Sequence, residues 1–355
     1  MSPVKVEPSA IAALLGCSST VFAHGFSWRK RAILRKFVDP YTVRFVSSVE
    51  NLPMRATLLL WGGAPSPAVL RSDVRIVRVE DGFLRSVGLG AALIQPLSWV
   101  LDGSGMYYDS TRPSDLEQLL AGHQFSPALT DRARALRTRI VSSGITKYSV
   151  GERAWTPPAQ RSVILVPGQV ETDVSLRLGA PGIRTNMALL QAVRAARPES
   201  YVLYKPHPDV TAGLRARGVN ENAALSWCDE IVTDVSMGEL LKQVSEVHVL
   251  TSLAGFEALL REKPVTCYGQ PFYAGWGLTA DMLPMSRRQR RLTLDELVAG
   301  ALILYPRYVS RLSADHSTPE RVLEDLMHWR AAARTRSPFW SQLWQQLIAH
   351  TVARP

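Results

Sequence analysis

Cysteine is scarce in this chain. The three residues, Cys17, Cys228 and Cys267, are too far apart to form a disulfide framework or a metal-ligand pattern, which fits a reducing compartment. There is no Walker loop, no Gly-x-Gly-x-x-Gly run, no His-Glu-x-x-His and no Cys-x-x-Cys. Those absences argue against P-loop ATPases, classical dinucleotide enzymes and zinc enzymes. No run approaches the roughly 18 apolar residues that span a bilayer. No internal repeat or low-complexity segment is present. No nucleic-acid module accompanies the basic charge, so nucleic acid is not an expected partner. Ile11-Ala-Ala-Leu-Leu-Gly-Cys17 superficially resembles a lipoprotein cleavage site, but the apolar stretch is short and follows Glu7 and Pro8. It reads instead as a buried N-terminal helix.

What is present is an ordinary globular composition, 46% hydrophobic and 20% charged over 355 residues. At about 150 residues per domain this predicts two domains. The formal charge is +10, with its densest run at Arg287-Arg288-Gln289-Arg290-Arg291. A basic surface attracts phosphate, anionic lipid headgroups or acidic sugars. A general preference for arginine accounts for the composition equally well.

Short apolar runs at Thr57–Trp61, Arg75–Val79, Val163–Val166, Tyr201–Tyr204, Glu246–Leu250 and Val265–Tyr268 read as strands. Helical segments separate them, including Asn186–Ala196, Phe256–Arg261 and a stretch from about Thr130 to Ser143 that stops at Gly144. Ser114/Glu117 and Thr293/Glu296 have capping-box spacing. The alternation predicts α/β architecture with parallel sheets and helices on both faces. Pro157-Pro158 marks a linker within residues 151–162. We therefore divide the chain into an N-terminal α/β domain (1–155), a C-terminal α/β domain (156–318) and a helical tail (319–355). Two such domains imply a cleft between the carboxyl ends of two sheets.

Four segments at strand ends carry chemistry. Gly168-Gln169-Val170-Glu171-Thr172-Asp173 offers two carboxylates and an amide. An extended chain would set Gln169, Glu171 and Asp173 on one side, and a carboxylate there suits a nucleophile or base. The plain alternative is a solvated loop or a helix cap. Lys205-Pro206-His207-Pro208 braces a cation and an imidazole on a rigid turn, suited to a phosphate or carboxylate. Thr251-Ser252 opens a helix whose free N–H groups form an anion site, and Glu257 can reach ribose hydroxyls. Simple capping explains that segment as well. Glu80-Asp81-Gly82-Phe83-Leu84-Arg85 supplies acid/base candidates and an arginine for a substrate carboxylate. Its alternative is a charged turn.

At these residues the chain resembles the capsule polysaccharide β-Kdo transferases of the KpsC/LipB type, Kdo being an eight-carbon acidic sugar. Glu80–Gly90, Pro96-Leu-Ser98, Asp102 and Gly144-Ile-Thr-Lys-Tyr148 are similar to that family's N-terminal signature. Gly168–Asp173, Lys205–Pro208 and Gly269–Leu278 are similar to its core, and the likeness runs from about Val21 to Tyr308. The resemblance implies a GT-B-like fold of two Rossmann-like domains, with the acceptor on the first and the CMP-sugar on the second. It implies CMP-β-Kdo as donor, a Kdo-containing glycolipid acceptor, no metal and no further cofactor. It implies retention of configuration through a covalent adduct on Asp173. Gln169, His207 and Ser252 then match positions around the donor, and Lys205, Thr251, Glu257, Glu80 and Arg85 are further substrate-binding candidates read from the residues themselves. Glu171 and Asp81 are the candidates for acid/base. The expected setting is the cytoplasm, with Arg287–Arg291 touching the anionic inner membrane face. Full-length enzymes of this type usually carry two tandem modules and this chain holds one, so no linkage is assigned. Two other readings stay open: a GT-B enzyme acting on another nucleotide sugar, and a non-catalytic capsule assembly or export protein.

Overall fold

The computed structural model describes residues 8–16, 18–84, 96–147, 151, 153–311 and 315–335. Two sheets organise them. The first contains β1 (Thr20–His24), β2 (Thr42–Phe45), β3 (Thr57–Trp61), β4 (Arg75–Asp81) and β5 (Ser98–Asp102). It is completed by β12 (Pro306–Val309) and β13 (His316–Ser317). Its order is β13-β12-β5-β4-β3-β1-β2. Strands β2, β1, β3 and β4 are parallel, whereas β5, β12 and β13 pair antiparallel. The second sheet holds β6 (Val163–Pro167), β7 (Tyr201–Lys205), β8 (Glu230–Ile231), β9 (Glu246–Val249), β10 (Val265–Cys267) and β11 (Ala280–Asp281). It is wholly parallel, in the order β11-β10-β9-β6-β7-β8.

The sheets do not divide the chain at residue 318. Strands β12 and β13 return to the first sheet, with Pro306–Tyr308 paired against Ser98–Val100 of β5. Local periodicity cannot reveal this, because the pairing spans some two hundred residues and the strands are short. Helix α11 (Pro319–Thr335) follows, and residues 336–355 of the expected tail lie outside the described residues.

Most sequence-read elements take the expected form. Helix α4 (Pro127–Ser143) ends on Gly144, whose φ of 63° is the left-handed conformation glycine adopts without strain. Thr293 and Glu296 form a complete capping box at α10 (Leu294–Val298), which continues as a π-helical segment over Ala299–Leu304. Ser114 caps α3 (Asp115–Gly122) through the Glu117 N–H, but the Glu117 carboxylate does not fold back. It pairs instead with Arg287 at 2.6 Å and Arg288 at 2.9 Å.

That pairing corrects the reading of the arginine cluster as a lipid-facing patch. Arg288 is buried, and also donates to the carbonyls of Pro271 and Ala274. Arg287 also donates to the Ser110 carbonyl. Arg290 binds the His123 carbonyl and Glu296. Burial alone would raise the Glu117 carboxyl, yet the two guanidinium groups hold it below the usual range. The cluster thus ties the segment after β11 to α3. A continuous apolar core backs the tie, running from Leu116, Leu120 and Ile140 to Leu165 and Val247. Each fully buried leucine or valine there contributes roughly 1.5–3 kcal/mol.

Candidate active site

The strand orders locate the site. In chain sequence the second sheet runs 3-2-1-4-5-6, so its order reverses between β6 and β9. The first runs 2-1-3-4-5 through β5 and reverses between β1 and β3. Ligands of open α/β sheets bind outside the carboxyl ends at such reversals. A cleft of about 680 Å³ lies there, lined from one side by Lys30, Trp61, Glu80, Asp81, Tyr107 and Tyr108. From the other side come Gln169, Asp173, Lys205, His207, Thr251, Ser252 and Glu257.

On the second sheet, hydrogen bonds fix the strand-end side chains. Gln169 spans the β6/β9 reversal: its Nε2 donates to Thr251 Oγ1 at 3.0 Å, and its Oε1 accepts the Thr251 N–H at 2.9 Å. The chain then turns, with the Asp173 N–H donating to the Val170 carbonyl. The expected extended alternation is therefore absent. Gln169 and Asp173 face the cleft, but Glu171 turns away and accepts the N–H groups of Asn186 and Val219 at 2.7 and 2.8 Å. Its two oxygens are used in structural capping, which removes it as an acid/base candidate.

Asp173 is the N-cap of α5 (Val174–Gly179). Its Oδ1 accepts the Ser175 N–H at 2.9 Å, and its Oδ2 makes no hydrogen bond among the described residues. The side chain is exposed to the cleft, and its charge acts on His207, Tyr107 and Tyr108. His207 caps α7 (Pro208–Thr211), its Nδ1 accepting the Asp209 N–H. That bond leaves the proton on Nε2, and burial pushes the imidazole down to about 4, so a neutral donor faces the cleft at pH 7. Lys205 is buried, donates to the Thr233 carbonyl at 3.3 Å and is pushed down to about 8 by desolvation. Ser252 caps α9 (Leu253–Leu260) through the Ala254 N–H. Glu257 is buried one turn into α9, accepts the Lys147 N–H at 2.5 Å, and is raised by that burial.

The first sheet supplies a different wall. Glu80 is pushed up to about 7, first by desolvation and then by the neighbouring Asp81. Its Oε1 accepts the Asp81 N–H at 3.0 Å. Its Oε2 lies where a side chain on Gly62 would be: a Cβ there would stand 2.3 Å from it, at a φ of 44°. Asp81 Oδ1 accepts the Trp99 indole N–H at 3.1 Å. Tyr108 is 7% exposed, and its hydroxyl has no hydrogen-bond partner among the described residues. Such an orphan costs about 1–3 kcal/mol unless a ligand or water meets it. Lys30 Nζ sits 3.2 Å from the Trp61 ring centroid.

Ten of the eleven residues singled out from the sequence lie within the described residues, and the structure gathers nine of them at the cleft. Glu171 is the exception, and Arg85 lies outside the described residues. Sequence reasoning missed Lys30, Trp61, Tyr107 and Tyr108. Only Gly62-Gly63 after β3 hinted that backbone and ligand approach closely there. Asp102 of the N-terminal signature is a buried hub, accepting from the Gly105 N–H and Tyr305 hydroxyl at 2.7 Å each.

Two Rossmann-like units sharing a polar cleft at paired sheet reversals define the GT-B-like class of fold. The chain belongs to the capsule polysaccharide biosynthesis protein family, whose model matches residues 64–149 and 132–310. It is 42% identical over 300 residues to the capsule polysaccharide modification protein LipA of Neisseria meningitidis serogroup A / serotype 4A, a match covering 81% of this chain but 43% of LipA. The chain thus spans less than half the length of that relative. It is 40% identical to the lipopolysaccharide-processing protein LpsZ of Rhizobium meliloti, over 79% of this chain and 68% of LpsZ. Among solved structures it resembles Thermosulfurimonas dismutans KpsC, beta Kdo 2,7 transferase, with a TM-score of 0.75, 38% identity, and 88% and 99% of the two chains covered. The beta Kdo 2,4 transferase of the same KpsC matches at a TM-score of 0.74 and 32% identity, covering 86% and 97%.

Proposed function

We propose that this chain is a retaining β-Kdo transferase that uses CMP-β-Kdo and a Kdo-containing acceptor in capsule biosynthesis. The observation that carries the reading is Asp173, a carboxylate with one oxygen anchored and the other open to the cleft. Two solved β-Kdo transferases of the same architecture and 32–38% identity support it.

Retention by double displacement needs one carboxylate at the anomeric carbon. Asp173 Oδ2 attacks that carbon, and the bond to the CMP phosphate oxygen breaks with its electron pair leaving on CMP. The departing phosphate is a weak base and needs charge stabilisation more than a proton. Lys205 and the Nε2–H of His207 supply it, backed by the opening of α9 at Ser252. In the second step an acceptor hydroxyl attacks the same carbon from the other face and restores the Asp173 carboxylate. Its proton passes to a base, and Glu80 fits that role better than Glu171 or Asp81. Glu171 is turned away, Asp81 is committed to Trp99, and Glu80 is poised near neutrality as acid/base catalysis prefers. The Tyr108 hydroxyl is left to donate to the sugar.

The test is incubation with CMP, Kdo, a CMP-Kdo synthetase and a synthetic Kdo-terminated acceptor, with NMR of the product. A new β-linked Kdo is expected. A parallel thermal-shift series should show stabilisation by CMP and none by UDP, GDP or ADP. Stabilisation by UDP alone would move the reading to another nucleotide sugar.

A further inference from the structure

The chain's surplus of positive charge does not reside in the Arg287–Arg291 run, most of which is consumed in ion pairs and carbonyl contacts. Part of it lies at α2 (Trp28–Phe37), whose sequence WRKRAILRKF holds five cations and no carboxylate. The helix is two-sided. Leu34 and Phe37 are buried on its inner stripe, and Lys30 reaches over Trp61. Trp28, Ala32 and Arg35 follow one another at i, i+4 and i+7 along the opposite stripe, flanked by Arg29, Arg31 and Lys36. Trp28 is 75% exposed, the orientation that places an amphipathic ring at a membrane interface. Among the described residues, Arg29, Arg31, Arg35 and Lys36 form no ion pair with a carboxylate. Arg29 packs on Trp28 at 5.1 Å, and Arg31 and Arg35 flank Phe45 at 5.0 and 4.9 Å. The same helix reaches the cleft, whose lining includes Arg29, Lys30 and Ile33.

We infer that the outer face of α2 docks the protein on an anionic lipid bilayer. Trp28 sits at the headgroup level, Arg35 and Lys36 lie against lipid phosphates, and the mouth of the cleft is held beside membrane-borne acceptors. The inference shares the lipid-linked acceptor with the proposed function. Its test uses neither donor nor acceptor, so the two readings fail separately.

The experiment is co-sedimentation with vesicles of mixed phosphatidylglycerol and phosphatidylcholine, compared with phosphatidylcholine alone. Wild type should pellet with the anionic vesicles at low salt and be released at high salt. The triple variant Trp28→Ser, Arg35→Glu, Lys36→Glu should keep its melting temperature. Its vesicle affinity should fall on the order of 30-fold or more, since each basic residue at such a surface contributes an appreciable increment. Arg153→Glu with Arg321→Glu, an equal charge change on exposed residues elsewhere, should lose far less. Should the triple variant fold poorly, Trp28→Ser with Arg35→Gln replaces it. The proposal is overturned if wild type ignores anionic vesicles, if the α2 variant binds as wild type does, or if the control falls as far.

Discussion

The two walls of the cleft are built by different means. On the second sheet Asp173 and His207 are held by short-range backbone bonds, to Ser175 and Asp209, and Gln169 by Thr251 across the strand reversal. On the first sheet Glu80, Tyr107 and Tyr108 sit among aromatic rings, and the carboxylate there titrates near neutrality. A wall of anchored polar groups preorganises charge stabilisation for a donor phosphate. A half-desolvated carboxylate against an apolar wall suits proton transfer. Under the proposed mechanism one fold divides the labour: the second sheet would hold and attack the donor, and the first would deprotonate the acceptor.

Substitutions can break that division in graded ways. Asp173→Ala should have the largest effect, lowering transfer on the order of 10⁴-fold or more while CMP affinity, read by thermal shift, is preserved. Glu80→Gln should lower kcat by roughly 10²–10⁴-fold. Its pH profile is the sharper readout. The base must be deprotonated, so wild-type activity should rise with pH through about 7, and that rise should vanish in Glu80→Gln. Gly62→Ala pushes a methyl group into the Glu80 carboxylate at a left-handed φ, and should cost up to about 10²-fold through misplacement of the base. Lys205→Met should raise the donor KM by about 10–100-fold, because it removes the desolvated cation assigned to the donor phosphate in the proposed mechanism. Glu117→Gln touches neither wall but strands the buried Arg288, so denaturant unfolding should show a loss of about 3 kcal/mol. The Glu117 carboxyl is held below its unfolded value. Its contribution is therefore present above the usual glutamate pKa and fades as pH falls through the depressed one.

The second sheet was the more legible of the two. Its first strand is the unbroken run Val163-Ile-Leu-Val, as expected where both faces are covered, and functional groups follow it directly in sequence. The first sheet contains short mixed strands such as Thr42–Phe45 and Pro306–Val309, whose partners only tertiary pairing supplies. Glu171 was misread because alternation was carried past the point where the chain turns. The arginine cluster was misread because its partner, Glu117, lies 170 residues away and leaves no local signal. Lys30 and Tyr108 went unseen for the same reason.

The most direct test of the division is the mass of the enzyme itself. Mixed with freshly generated CMP-Kdo and no acceptor, the protein should gain the mass of one Kdo residue, localised to the peptide that contains Asp173. Adding acceptor should discharge it. An unmodified Asp173 peptide under those conditions, together with undiminished transfer by Asp173→Ala, would contradict the account.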